Sequence, residues 1–241
     1  NNLITNFTSI KGSNKNFRYY AYFNFKQGDG FRDNSNFNSR NFFINTIYDI
    51  NDLSRLSLEI TYFTYLAQQA GGLNDQMFFS DPFQSNRARN WFGVDWLLYN
   101  LKYEYDFSSK KSFSLSLFGL NATRNALGFR VNRVDQLDSN GPRDLIQGDF
   151  NNFGFEAKYL TNYKLFKKES IFVIGSKLYF SKNKSRQGPG SESSDSDFTF
   201  YDNEYPLHNN QSDYKYPNQN ISLFGENIIR INDKFSITPG F

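Results

Sequence analysis

Apolar and polar side chains alternate along most of this chain with a period of two residues. Across residues 16–26, Phe17, Tyr19, Ala21, Phe23 and Phe25 fall on one side, and Arg18, Tyr20, Tyr22, Asn24 and Lys26 on the other. This is the signature of a strand with one apolar and one wet face, and its length matches the ~9–11 residues that cross a bilayer at a tilt. The pattern recurs along the chain. A weaker strand covers 3–10. Phe42, Ile44, Thr46 and Tyr48 mark a third, and Leu56, Leu58, Ile60 and Tyr62 a fourth. In the fifth, Leu97, Tyr99, Leu101, Tyr103 and Tyr105 oppose Asn100, Lys102, Glu104 and Asp106; in the sixth, Phe113, Leu115, Leu117 and Gly119 oppose Ser112, Ser114, Ser116 and Phe118. The remaining strands are expected around Phe153 to Tyr159, over 171–182, over 221–231, and at Phe235 and Ile237.

The connections alternate as strictly as the side chains. Short turns fall at 11–15, 51–52, 108–111, 167–169 and 232–233, and long polar loops at 27–39, 67–90, 124–149 and 183–218. The second long loop, with Gly71, Gly72 and Pro82, is expected to run straight into the fifth strand with no helix between. Short turns on one side and long loops on the other are the arrangement of bacterial outer-membrane barrels; a soluble sandwich mixes its loop lengths. A lipid-facing Arg or Lys costs ~2–4 kcal/mol at mid-depth. The apolar faces of the second, third, fourth and sixth segments carry none. The expected fold is therefore all-β: a transmembrane antiparallel β-barrel contributing about ten strands. Its loops are large for a ten-stranded barrel, so residues 1–241 are expected to form one partial β-barrel domain.

Composition changes this picture little. The formal charge of +3 comes without a basic stripe among the aromatics, which excludes a nucleic-acid partner. With no cysteine, a disulfide framework and a thiolate metal site are excluded. The mean hydropathy of −0.66 is what a barrel with a polar interior gives. No apolar run approaches the ~18 residues of a membrane helix.

Several blocks resemble the barrel of TonB-dependent outer-membrane receptors of the ferric-citrate and siderophore type, as found in Bacteroidetes. They are Gly71-Gly72-Leu73, Asp81-Pro82, Ser85-Asn86-Arg87-Ala88-Arg89-Asn90-Trp91-Phe92 and Asp95-Trp96, with Gly28-Asp29-Gly30-Phe31-Arg32, Ala126-Leu127-Gly128-Phe129-Arg130 and Phe224-Gly225-Glu226-Asn227 to Ile237-Thr238-Pro239-Gly240. The resemblance implies a 22-stranded barrel in the bacterial outer membrane, bathed in outer-membrane lipid and closed by an N-terminal plug. It implies uptake of a ferric chelate, ferric citrate or a siderophore, driven by the TonB complex through the plug. The chelate is cargo, and no cofactor of the protein's own is implied. The chain departs from the family in showing neither plug nor TonB-contacting segment, as expected of a fragment. Two other readings remain: a glycan importer working with a surface lipoprotein, and a non-importing barrel for surface assembly or binding.

Against that resemblance, Arg87 and Arg89 stand at a loop–strand junction, where guanidinium forks can take the carboxylates of a ferric tricarboxylate. They can equally pair with loop acids such as Asp75 or Asp81. Arg130 and Arg133 in the third long loop carry the same two readings; Arg32, between Asp29 and Asp33, is weaker. Trp91, Trp96, Tyr99 and Tyr103 read as an interfacial girdle where they face outward, or as a stacking platform. His208, flanked by Asn209 and Asn210, lacks the partners of a nucleophilic triad or zinc site. Residues 191–197 offer oxygens to calcium but without the spacing of a calcium loop, and solvated disorder is expected there. Glu59 and Glu104 on wet faces are expected to pair with Lys or Arg. No catalytic constellation is present, so an enzyme is not expected; a barrel protease would rest on His208 alone.

Overall fold

The computed structural model describes residues 2–131, 133–165, 167–202, 204 and 206–241. They form one ten-stranded antiparallel sheet whose strand order follows the chain. The strands are β1 Ile4–Asn14, β2 Phe17–Gly28, β3 Phe37–Asn51, β4 Ser54–Gln68, β5 Trp91–Ser108, β6 Lys111–Gly128, β7 Asp144–Leu165, β8 Lys168–Pro189, β9 Ser212–Arg230 and β10 Ser236–Ile237. Every strand pairs with its sequence neighbour, and β1 is paired on one side only. Short turns close one end of the sheet, and the long loops crowd the other.

The pairing register aligns the expected apolar faces into continuous rows. One row runs Tyr19, Thr46, Leu58, Leu101, Leu117, Phe155, Leu178 and Ile221. The rows on either side run Ala21, Ile44, Ile60, Tyr99, Gly119, Phe153 and Phe180, and Phe17, Tyr48, Leu56, Tyr103, Leu115, Ala157, Ser176 and Leu223. No charge interrupts these rows. A slip of one residue would turn every such side chain to the other face, so alternation itself fixes the register. Leu223 and Ile221 on this face stay mostly exposed. A glycine in the middle of this face has its own reason. A Cβ on Gly119 would fall on the Tyr99 ring, which lies across it.

The opposite face is wet at the turn end. Asp49 accepts hydrogen bonds from Arg18 Nη2 at 2.8 Å and from Arg55 Nε at 2.8 Å. Lys102 pairs with Glu104 at 2.6 Å and Lys158 with Glu156 at 2.7 Å. Glu104 thus has the lysine partner expected of it, whereas Glu59, among the described residues, accepts only a long bond from Asn45, at 3.5 Å.

Two expectations need correction. The second long loop does contain a helix, α1 (Asp75–Ser80), capped by Asn74, whose side chain accepts from the Met77 N–H. An Asn followed by an Asp in the first turn is an ordinary helix start. A helix this short has too few residues to show a 3.6-residue period. The loops are also shorter than expected, at 129–143 and 190–211, because β6 to β9 continue well beyond the apolar rows. There both faces are polar, as in Asn183, Lys184, Ser185, Arg186 and Gln187, so alternation vanishes while the ladder persists. The few buried apolar side chains, Ala67, Ala70, Leu127 and Leu145, lie at this long-loop end.

Candidate functional site

The loops at this end are knitted together by arginines. Loop carbonyls lack the regular partners that strands provide, and a guanidinium offers five donors in a rigid fork. Arg32 donates from Nε to Gln84 O at 2.9 Å and from Nη1 to Gly71 O at 2.8 Å, tying the first long loop to the second. Gly71 sits there at a φ of +77°, with no room for a Cβ against Asn86 and Arg87. Arg87 donates to Asn86 O at 2.6 Å and Gln136 O at 3.1 Å, and its guanidinium lies 5.2 Å from the Phe129 ring centroid. Arg89 grips Asp138 with two donors, Nε at 2.9 Å and Nη2 at 2.6 Å, and reaches Glu192 O at 2.9 Å.

Arg143 is the hub. It is 1% exposed. Its Nε donates to Ser191 O at 2.9 Å; Nη1 donates to Arg89 O at 3.0 Å and Asp195 O at 2.7 Å; and Nη2 donates to the hydroxyls of Ser191 and Ser193, at 2.6 and 3.0 Å. One side chain thereby joins the second, third and fourth long loops. Burial lowers its pKa and nearby Arg89 lowers it further, while Asp195, Asp197 and Asp138 oppose the shift. A guanidinium is not deprotonated inside a protein, so the group stays charged. At Asp138, burial pushes the carboxyl up, but the Arg89 fork and the Asn140 N–H outweigh it and hold it below its ordinary value.

The four candidate arginines therefore part company. Arg87 and Arg89 are 5% and 6% exposed, with their donors turned onto the loops. The acid that Arg89 meets is Asp138, from the third loop, rather than Asp75 or Asp81. Arg130 and Arg133 are exposed, and Arg133 pairs with neighbouring Asp135 at 2.8 Å. The segment 191–197 is not the disordered stretch expected of its composition. Its serines and Asp195 wrap Arg143, with Ser193 Oγ donating to Asp195. Sequence reading missed Arg143 because an isolated arginine in a polar loop carries no local signal, and its partners lie about 50 residues away in either direction. His208 has one carboxylate partner, Asp202, at 2.8 Å. Among the described residues no group of three or more His, Cys, Asp or Glu side chains is placed to hold a metal.

Beneath this arginine-held crown of loops, the wet face changes character. Its middle rows hold Phe7, Tyr20, Tyr22, Phe43, Phe63, Tyr65 and Trp96. Tyr22 and Phe43 stack at 5.3 Å, and Phe63 and Trp96 lie 5.2 Å apart. The four aromatics read from sequence as girdle or platform are thus divided. Tyr99 and Tyr103 share the apolar face with Leu101, and Trp96 lies on the opposite face. Trp91 donates from Nε1 to Ser194 O at 2.9 Å, within the crown. Further along the same wall, Glu59, Thr61, Leu98, Phe118, Asn152 and Tyr179 line a cavity of about 330 Å³. Asn152 Oδ1 is buried there with no hydrogen-bond partner among the described residues.

No protein-family model matches the sequence, and no curated protein matches it. Solved structures do share its fold. The ferric citrate transporter FecA in its unliganded form superimposes with a TM-score of 0.80 at 16% identity, over 98% of this chain and 33% of FecA. BauA, the ferric preacinetobactin receptor from Acinetobacter baumannii, gives 0.69 at 12%, over 99% of this chain and 40% of BauA. The ferripyoverdine receptor of the outer membrane of Pseudomonas aeruginosa gives 0.75 at 13%, over 99% of this chain and 34% of the receptor. The resemblance to the TonB-dependent receptor barrel read from the sequence therefore holds at the level of fold. The chain spans a third to two-fifths of the length of these structures.

Proposed function

We propose that the chain is one arc of the barrel of an outer-membrane receptor that imports a ferric chelate, energised through TonB. The observation that carries this reading is the likeness of fold, over nearly the whole chain, to three receptors or transporters of ferric chelates. The uncharged rows support it as the lipid face, and the one-sided loops as the outer rim. The reading calls for a closed barrel of 22 strands, and for a plug and TonB-contacting segment outside residues 1–241. Arg130 and Arg133 then meet incoming ligand at the rim, and Arg87 and Arg89 hold the loops that carry them.

The test is uptake of radiolabelled iron by cells whose outer membrane has this full-length protein as its one iron-chelate receptor. Accumulation that needs TonB and collapses with a protonophore is expected. Absence of TonB-dependent uptake for every ferric chelate offered would overturn the reading and favour the glycan importer or the non-importing barrel.

A further inference from the structure

Charge is divided unevenly between the two ends of the sheet. The four long loops, at 29–36, 69–90, 129–143 and 190–211, hold eleven carboxylates against six arginines. The cationic excess of the chain therefore lies elsewhere. The turns β5–β6, β7–β8 and β9–β10 gather Lys110, Lys111, Lys167, Lys168 and Lys234 at the opposite end. Two acids stand among them, and both tie one turn to the next: Glu169 pairs with Lys110 at 3.4 Å, and Asp233 pairs with Lys168. Lys111, Lys167 and Lys234 are exposed, and among the described residues none of the three has an ion-pair partner.

These cations border the apolar side of the sheet. The last apolar row before the turns holds Tyr105, Phe113 and Tyr159. Phe107 lies on the same side, 4.9 Å from the Tyr105 ring and 6.3 Å from the Tyr159 ring, and is 56% exposed. Lys111 stands two residues before Phe113 on β6, so it belongs to this side as well, one row nearer the turn and opposite Thr161. Lys167 and Lys234 stand at the two neighbouring turns. A plug would fill the other side of the sheet, and further strands would add at its edges. Neither would cover this rim. Aromatic rings that end an apolar face mark the interface of a bilayer, and unpaired lysines just beyond them stand at the height of the headgroups.

Resting on the reading of this sheet as an arc of an outer-membrane barrel, we propose that the rim of these three turns binds the anionic headgroup of an inner-leaflet phospholipid, of the phosphatidylglycerol kind. The phosphate lies against Lys111, with Lys167 and Lys234 adding to the attraction along the rim, and the acyl chains run past Phe107 and Phe113. An ammonium on a flexible stem is a mobile point charge, suited to a headgroup that is itself mobile. A zwitterionic headgroup brings its own cation, which opposes the lysines, so the rim selects by net charge.

The test reconstitutes the full-length receptor in phosphatidylcholine vesicles with a trace of photoreactive lipid. The two probes are phosphatidylglycerol and phosphatidylcholine, each with the same diazirine-bearing chain, and adducts are mapped by mass spectrometry. Peptides spanning 105–113 and 163–172 should take ~3–10-fold more of the phosphatidylglycerol probe, while peptides spanning 42–48 take both probes equally. The triple variant Lys111→Gln/Lys167→Gln/Lys234→Gln should bring the preference below ~2-fold, and the corresponding arginine variant should restore it. All three side chains are exposed, and unchanged electrophoretic mobility of the unheated barrel will verify that the variants fold. Equal labelling of the rim by both probes, or a preference that the glutamine variant leaves intact, would overturn the proposal; labelling of 42–48 by either probe would leave the barrel reading standing. Absence of labelling from 42–48 and 113–119 with both probes would remove the two together.

Discussion

Replacing Arg143 with alanine should unlock the crown without unfolding the sheet. The side chain satisfies three main-chain carbonyls, Ser191 O, Arg89 O and Asp195 O, contributed by two different loops. Each such bond from a charged donor is worth about 1.5 kcal/mol or more in the closed crown, of which water reaching the freed carbonyls returns part, leaving about 1 kcal/mol net. The two serine hydroxyls add little to the loss, since Ser191 and Ser193 already lie 3.1 Å apart and can bond to each other. The total is about 3 kcal/mol, or roughly 100-fold in the population of the open crown. Hydrogen exchange of the full receptor in detergent, read by mass spectrometry, is the assay. Peptides from 129–143 and 190–200 should exchange up to ~100-fold faster, while β6 amides around Leu117 stay protected. Arg143→Lys keeps the charge but loses the fork, and should give an intermediate loss of about tenfold. Unchanged exchange in both loops would refute the hub. Loss of protection throughout β5–β8 would show instead that Arg143 holds the sheet.

Further outcomes follow from the same geometry. Asp138 is held below its ordinary pKa, so its contribution is complete above about pH 4 and is lost as pH falls through its folded value. In a Trp96→Phe background, Trp91 emission, which reports the contact with Ser194, should be flat from about pH 5 to 8 and shift below about pH 4. Asp138→Asn should reduce that step, leaving the part due to Asp195, whose pKa is also lowered. On the outer face, Leu117→Arg should destabilise the barrel by ~2–4 kcal/mol in lipid, and Ser116→Arg on the inner face by far less; urea titration in vesicles compares them. Gly119→Ala must displace the Tyr99 ring and the Asn152 carbonyl now 2.8 Å from its Cβ position, and should cost ~1–3 kcal/mol in the same titration. Equal costs for Leu117→Arg and Ser116→Arg would contradict the assignment of faces.

The sheet was legible because a sheet with one apolar face imposes a rule on every second residue, and Leu115 and Leu117 obey it as plainly as Phe23 and Phe42 do. Where that rule stops, legibility stops too. The upper reaches of β7 and β8 are held by ladder hydrogen bonds and by polar pairs such as Lys184 with Asp213, with no alternation of apolar residues, so Lys184 and Arg186 read as loop. The crown was less legible still. Arg87 and Arg89 drew notice as a pair, but their burial depends on carbonyls and on Asp138 brought from other loops. Arg143, the most buried of them, had no neighbour to mark it. The inner aromatics were visible as Tyr20 and Tyr22, yet a polar-face tyrosine means little until register sets it beside Phe43.

The most direct measurement of the central claim is a spin-label scan along β6 in the full receptor in bilayers. Residues 1–241 have no cysteine to compete with those introduced at residues 112–119, and any elsewhere in the receptor are replaced by serine. Collision rates with oxygen and with a water-soluble nickel complex should alternate with a period of two. Labels at Phe113, Leu115, Leu117 and Gly119 should favour oxygen, and those at Ser112, Ser114, Ser116 and Phe118 the nickel complex. Equal accessibility of both sets to the nickel complex would mean that no face of this sheet meets lipid, and the receptor account would fall.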